Sequence, residues 1–164
     1  MRGPTSVINS TLAGIITIAR QQIQVERVYG LVHGLEGALR GEVIDLSHLN
    51  HEELEKLRYT PAAILGGSRY PLTDEDIHKV IRFFKDNDCY YFLFIGGNGT
   101  MDTCLRLQNM CQQKNMPLEV VGVPKTIDND LEVTDHAPGY GSAALTQEFV
   151  EWITPLVGEI MTVL

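Results

Sequence analysis

The sequence is short of cysteine, of basic residues and of long apolar runs. Its three cysteines show no CxxC spacing, which removes the pattern expected of a structural zinc site or a dithiol redox centre. Cys104 and Cys111 lie seven apart in a helical pattern and suit a buried face instead. Lysine and arginine total 13 against 21 aspartates and glutamates, for a net charge of −8. Proteins grip a nucleic-acid backbone through a basic face, so nucleic acid is not an expected partner. The longest apolar run, Tyr90 to Ile95, is far too short to span a bilayer. The opening ten residues carry one arginine and no apolar core of leader length. The expectation is a reduced, cytoplasmic setting with no membrane role. Repeats and low-complexity segments are missing too, and 164 residues suffice for one domain with its own core.

What is present is an alternation of short apolar runs with longer amphipathic ones, the pattern of a parallel α/β sheet. Helices are predicted over 6–22, 51–59, from the Thr73 cap to about Asp86, over 101–114, and from Ser142 to the end. Strands are predicted at 25–32, 43–46, 62–65, 90–95 and 120–123, the fourth (YYFLFI) as a central strand apolar on both faces. The expected fold is a doubly wound, mostly parallel, three-layer α/β/α domain over residues 1–164. The first helix lacks a strand before it, although Gly3-Pro4 reads like the turn after one, and Met161 to Leu164 is apolar and uncapped. These features read as truncation at both ends.

The chemistry concentrates where strands end. VVGVPKTIDND, Val120 to Asp130, breaks at Pro124 and then sets Lys125, Thr126, Ile127, Asp128, Asn129 and Asp130 beyond a strand. Ligands of open α/β sheets bind at that edge. The loop offers a base, a magnesium-holding carboxylate and a cation, the parts used in phosphoryl transfer; a plain polar turn is the other reading. Gly96-Gly97-Asn98-Gly99-Thr100 leaves a strand and enters a helix, where free amides and the helix dipole favour an anion. It is not a Walker A loop, and without a third glycine or a ribose-binding acid it does not predict NAD or FAD. Gly66-Gly67-Ser68-Arg69 is read as a similar turn, with Arg69 suited to fork two phosphate oxygens.

GPTSVIN (3–9), LGGSRY (65–70), IGGNGTMDT (95–103), GVPKTIDND (122–130) and TDHAPGYGSA (134–143) follow one another as in the 6-phosphofructokinase family. The chain resembles the amino-terminal, phosphoryl-donor half of that family over nearly its whole length. The resemblance implies an ATP-dependent glycolytic transfer to the 1-hydroxyl of fructose 6-phosphate, with Mg²⁺, in a homo-oligomer at full length. It implies Asp128 as the catalytic base and Arg69 as a catalytic cation. Gly3, Arg69, Tyr70, Gly97, Asn98, Gly99 and Thr100 would meet the donor, and Thr126, Ile127 and Asp128 the sugar phosphate. Asn98 and Asp130 would serve the metal. Two departures stand out. Asn98 replaces the family's magnesium-binding aspartate, leaving an oxygen without the charge a hard cation prefers. Donor choice is mixed: Gly99 matches ATP-dependent members and Lys125 pyrophosphate-dependent ones. ATP is placed first because Gly99 acts sterically on the nucleotide, with pyrophosphate as the alternative donor. The family's second, sugar-phosphate-binding domain has no counterpart here, so a half-site of little activity, or a nucleotide-binding relative without catalysis, is the companion expectation.

Overall fold

The computed structural model describes residues 6–125, and the helix expected from Ser142 lies outside them. The chain divides into two compact units, 1–124 and 125–164, and the described helices and strands all belong to the first. Helix α1 (Ser6–Ala19) buries Leu12, Ala13 and Ile16. It ends short of Gln22 because the chain tightens into i→i+3 bonds, Gln21 N–H to Ile18 O and Gln22 N–H to Ala19 O, both 3.0 Å. Strand β1 (Tyr29–Leu31) pairs antiparallel with β2 (Val43–Asp45), in the register Tyr29 opposite Asp45. The intervening glycine-rich passage, left without structure by the sequence pattern, folds as helix α2 (Leu35–Arg40). Its glycines serve its ends and its packing. Gly41 closes it at φ 70°, and a Cβ on Gly37 would lie 2.1 Å from the Val32 carbonyl oxygen.

Helices α3 (His51–Tyr59) and α4 (Asp74–Asp86) start where the sequence indicates. Each has a full capping box, Asn50 with Glu53 and Thr73 with Asp76, in which side chain and backbone exchange bonds. Strand β3 (Tyr91–Gly96) leads into helix α5 (Asn98–Gln113) and returns as β4 (Glu119–Pro124), parallel to β3 with Gly96 opposite Pro124. This is the β–α–β crossover of an α/β fold. One core joins α2, α4 and α5 to the sheet through Leu35, Ile77, Val80, Phe84, Phe92 and Leu107. The other joins α1 to α3 through Leu12, Ile16, Leu54 and Leu57, with Leu65 and Ile95 against it. Cys104 and Cys111 are buried, as their spacing indicates.

Two expectations about the strands change. Residues 62–65 form no strand, since Ala62 stands at φ 63° and the Ile64 amide is taken by the Asn9 side chain. Strand β3 is not fully covered on both faces: Tyr91 and Leu93 are 59% and 40% exposed. The β3–β4 pair is parallel, in keeping with the expected α/β fold, and the short β1–β2 pair is antiparallel.

Candidate functional site

The parallel register of β3 and β4 brings two strand ends to one edge. Gly96 closes β3 beside Pro124, which closes β4, and the chain then continues into Lys125. After β3 the backbone turns at Gly97, and α5 starts at Asn98, three residues before the predicted Met101. Asn98, Gly99 and Thr100 are therefore the first turn of a helix. The Thr100 and Met101 amides close on the Gly97 carbonyl at 2.9 and 3.1 Å, and the turn as a whole carries the positive end of the helix dipole. No acidic side chain sits in the turn to oppose an anion; Asp102 falls beyond it and is exposed. The Thr100 side chain folds back over Gly96, where a Cβ would meet Thr100 Oγ1 at 2.1 Å, so glycine is needed for the turn to close. Among the described residues, a Cβ at Gly99 would meet nothing within 4 Å, and they leave the space over it open.

The second glycine turn, 66–70, follows an irregular segment and is positioned by side chains. The buried Asn9 amide spans residues 60–64: Nδ2 donates to Thr60 O and Oδ1 accepts from Ile64 N–H, both 2.8 Å. His33 N–H donates to Leu65 O at 2.7 Å. The His33 ring then fills the place of a Gly66 side chain, with Nδ1 2.5 Å from an ideal Cβ at φ 71°. Next to His33, Gly34 approaches the Phe94 ring of β3. Arg69 is exposed and forms no ion pair among the described residues. Ser68 Oγ donates to Glu36 at 2.6 Å and accepts from Tyr70 N–H at 3.0 Å. The Tyr70 hydroxyl reaches Asp76 Oδ2 at 3.3 Å, so this residue is tied to the α4 cap as well as exposed. The Thr73 hydroxyl and Thr73 amide, followed by the Tyr70 hydroxyl, hold the Asp76 carboxyl below the usual aspartate range.

The structure therefore brings Gly97, Asn98, Gly99 and Thr100 into one helix start and holds Arg69 and Tyr70 on a separately anchored turn. Lys125 is half-buried at the start of the second unit. Gly3, Thr126, Ile127, Asp128 and Asp130 lie outside the described residues. For a magnesium ion, the described residues offer one neutral oxygen at Asn98, and no group of three His, Cys, Asp or Glu among them could hold a metal. On their own they do not make a hard-cation site. Sequence reasoning missed Asn9, His33 and Glu36. A polar residue on the apolar side of α1 was the available sign for Asn9; nothing local marked the other two.

A family model described as Phosphofructokinase matches residues 1–154. The pyrophosphate–fructose 6-phosphate 1-phosphotransferase of Halomonas elongata is 38% identical over 148 residues, covering 87% of this chain and 35% of that protein. The ATP-dependent 6-phosphofructokinase of Entamoeba histolytica is 30% identical over 144 residues, covering 87% of this chain and 32% of that protein. Among solved structures, the pyrophosphate-dependent phosphofructokinase from Nitrosospira multiformis matches with a TM-score of 0.79 and 38% identity, over 85% of this chain and 35% of that one. The chain spans about a third of the length of the relatives it matches.

Proposed function

The chain belongs to the phosphofructokinase family, and on that footing we propose that it carries the phosphoryl-donor half of a pyrophosphate-dependent phosphotransferase acting on fructose 6-phosphate. The observation that carries this reading is the pairing of the β3 and β4 ends at one edge, with the α5 start at one and PKTIDND following the other. Amides of the α5 start and the Arg69 guanidinium bind the donor phosphates. Asp128 accepts the proton of the sugar 1-hydroxyl as its oxygen attacks the terminal phosphorus. The bridging P–O bond breaks and inorganic phosphate leaves. Thr126 and Ile127 flank the sugar phosphate. Asn98 and Asp130 are the residues that would hold magnesium, which supplies charge neutralisation on the phosphate oxygens. Further acceptor contacts belong, on this proposal, to the remaining length of the relatives. These 164 residues alone are then expected to bind donor but turn over little, because sugar-phosphate binding energy positions the attacking hydroxyl.

Sequence reasoning placed ATP first. The pyrophosphate-dependent relative at 38% identity against the ATP-dependent one at 30% supports the reverse order, and Lys125 agrees with it. ATP remains the second reading, favoured by the open space over Gly99.

Equilibrium binding of pyrophosphate and of ATP, each with magnesium, to wild type and Gly99→Asp decides between them. A Cβ at Gly99 meets nothing within 4 Å among the described residues, and circular dichroism checks that the variant folds. Pyrophosphate binding that survives it, with ATP weak in both proteins, is the expected result. ATP binding abolished by the substitution would establish the second reading. A folded chain that binds neither donor at millimolar concentration overturns the donor-half assignment.

A further inference from the structure

We propose that Glu36, acting through Ser68, is a positioning residue that presents Arg69 to the donor phosphates. The proposal rests on the reading of Arg69 as a donor-contacting cation. No strand ladder fixes the turn that carries Arg69, since residues 62–65 are irregular. Upstream, it is tied by Asn9 to Ile64 and by His33 to Leu65. Downstream, Tyr70 is held through its hydroxyl by Asp76. Between these anchors the backbone passes through Gly66 and Gly67, which impose little restraint.

One contact brackets Arg69 itself. Ser68 Oγ accepts from the Tyr70 amide, closing a small turn around the intervening residue, and donates its own proton to Glu36 Oε2 at 2.6 Å. The carboxylate thus fixes which way the hydroxyl hydrogen points and leaves the oxygen lone pair for Tyr70 N–H. A water molecule could satisfy Ser68 equally well, but it would not tie the turn to α2, 32 residues away in sequence. Glu36 is held in turn by Arg40, Nη2 to Oε1 at 2.5 Å one helical turn on. That pairing restrains the Glu36 rotamer and offsets a negative charge that would otherwise repel an approaching phosphate. Glu36 and Ser68 are partly or fully exposed, so their bond contributes little to global stability. Its effect falls on the freedom of Arg69: a guanidinium must be ordered to fork two oxygens, and a pre-ordered turn lowers that entropic cost.

The test measures pyrophosphate affinity and melting temperature on the full chain for Glu36→Ala, Glu36→Gln, Ser68→Ala, Arg69→Ala, the Glu36→Ala/Ser68→Ala double variant, and Glu36→Ala combined with Arg69→Ala. Glu36→Ala and Ser68→Ala are each expected to weaken pyrophosphate binding about three- to tenfold, with little change in melting temperature, and the double variant no further. Glu36→Gln keeps an acceptor for the Ser68 hydroxyl and should restore binding to within about twofold of wild type. Once Arg69 is alanine, removing Glu36 should change nothing. If Arg69→Ala weakens binding and Glu36→Ala does not, the positioning role is refuted while the donor site stands. Independent, additive losses also refute it. If Arg69→Ala has no effect, the donor reading of Arg69 fails and this inference with it. Should Glu36→Ala fail to fold, Ser68→Ala and Glu36→Gln carry the decision.

Discussion

Replacing Asn9 should cost more than its position on a helix suggests. The side chain is fully buried, and both polar atoms bind backbone of residues 60–64 at 2.8 Å. Between the two bonded residues stands Ala62 at φ 63°, a conformation that costs a non-glycine residue about 1 kcal/mol or more. Asn9→Ala removes both bonds. A neutral hydrogen bond is worth about 1 kcal/mol net, and each buried group left unpaired adds to the loss. Thr60 and Ile64 are only partly shielded, so water recovers some of it, leaving an expected destabilisation of about 2–3 kcal/mol. Urea unfolding followed by circular dichroism measures this directly. A loss below about 0.5 kcal/mol would mean that the amide is incidental to the segment. Asn9→Asp sharpens the argument. Its carboxylate keeps an acceptor for Ile64 N–H but faces the Thr60 carbonyl, so burial and repulsion raise its folded-state pKa. A raised value gives a contribution fully present below the unfolded pKa of about 3.9 and lost as pH rises through the folded one. Stability of this variant relative to wild type should therefore fall with rising pH. A rise with pH would refute the assigned geometry.

Gly37→Ala should destabilise the chain by about 3 kcal/mol or more, because its Cβ meets the fixed backbone oxygens of Val32 and Glu42 at 2.1 and 2.9 Å; an unchanged urea midpoint would be incompatible with that packing. Thr73→Ala should cost about 1 kcal/mol through loss of the α4 cap. It should also flatten the acid limb of the stability curve. Asp76 is depressed by Thr73, so its support is present above the ordinary aspartate value and lost as pH falls through the lowered one. Burial pushes the Cys104 and Cys111 thiols up, so native-state alkylation at neutral pH should be slow at both and speed up on unfolding. Rapid labelling of the folded chain would contradict their burial.

Where local chemistry settles an element, the sequence could be read directly. Thr73 with Asp76 marked the start of α4, and the spacing of Cys104 and Cys111 marked the inner face of α5. Helix α5 starts earlier than the sequence predicts because glycine and asparagine favour loops by propensity, whereas Gly97 as cap allows Asn98 to begin the helix. Helix α2 is hidden by its glycines, which cap it and let it approach Val32, and its apolar residues Leu35, Ala38 and Leu39 cover little more than one turn. Ala62 to Leu65 looked like a strand by composition. A buried amide more than 50 residues away in sequence claims the backbone group a strand would have used. No local pattern carries that information.

The same division runs through the candidate site. Residues that would touch a donor stand in recognisable runs, GGNGT and GGSRY, since close backbone approach and a phosphate fork restrict residue choice tightly. Residues that hold those runs in place need only supply a hydrogen bond of the right length, so they carry no local signature. Glu36 reads as a helix-surface acid paired with Arg40 until Ser68 is placed beside it. Donor choice is divided in the same way. Among the described residues Gly99 leaves open space and so permits a nucleotide without requiring one, because unfilled volume excludes no smaller ligand. Pyrophosphate fits wherever the nucleotide's own phosphates would. A permissive glycine therefore has less power to discriminate than a residue that fills the site, and its weight against pyrophosphate is correspondingly small.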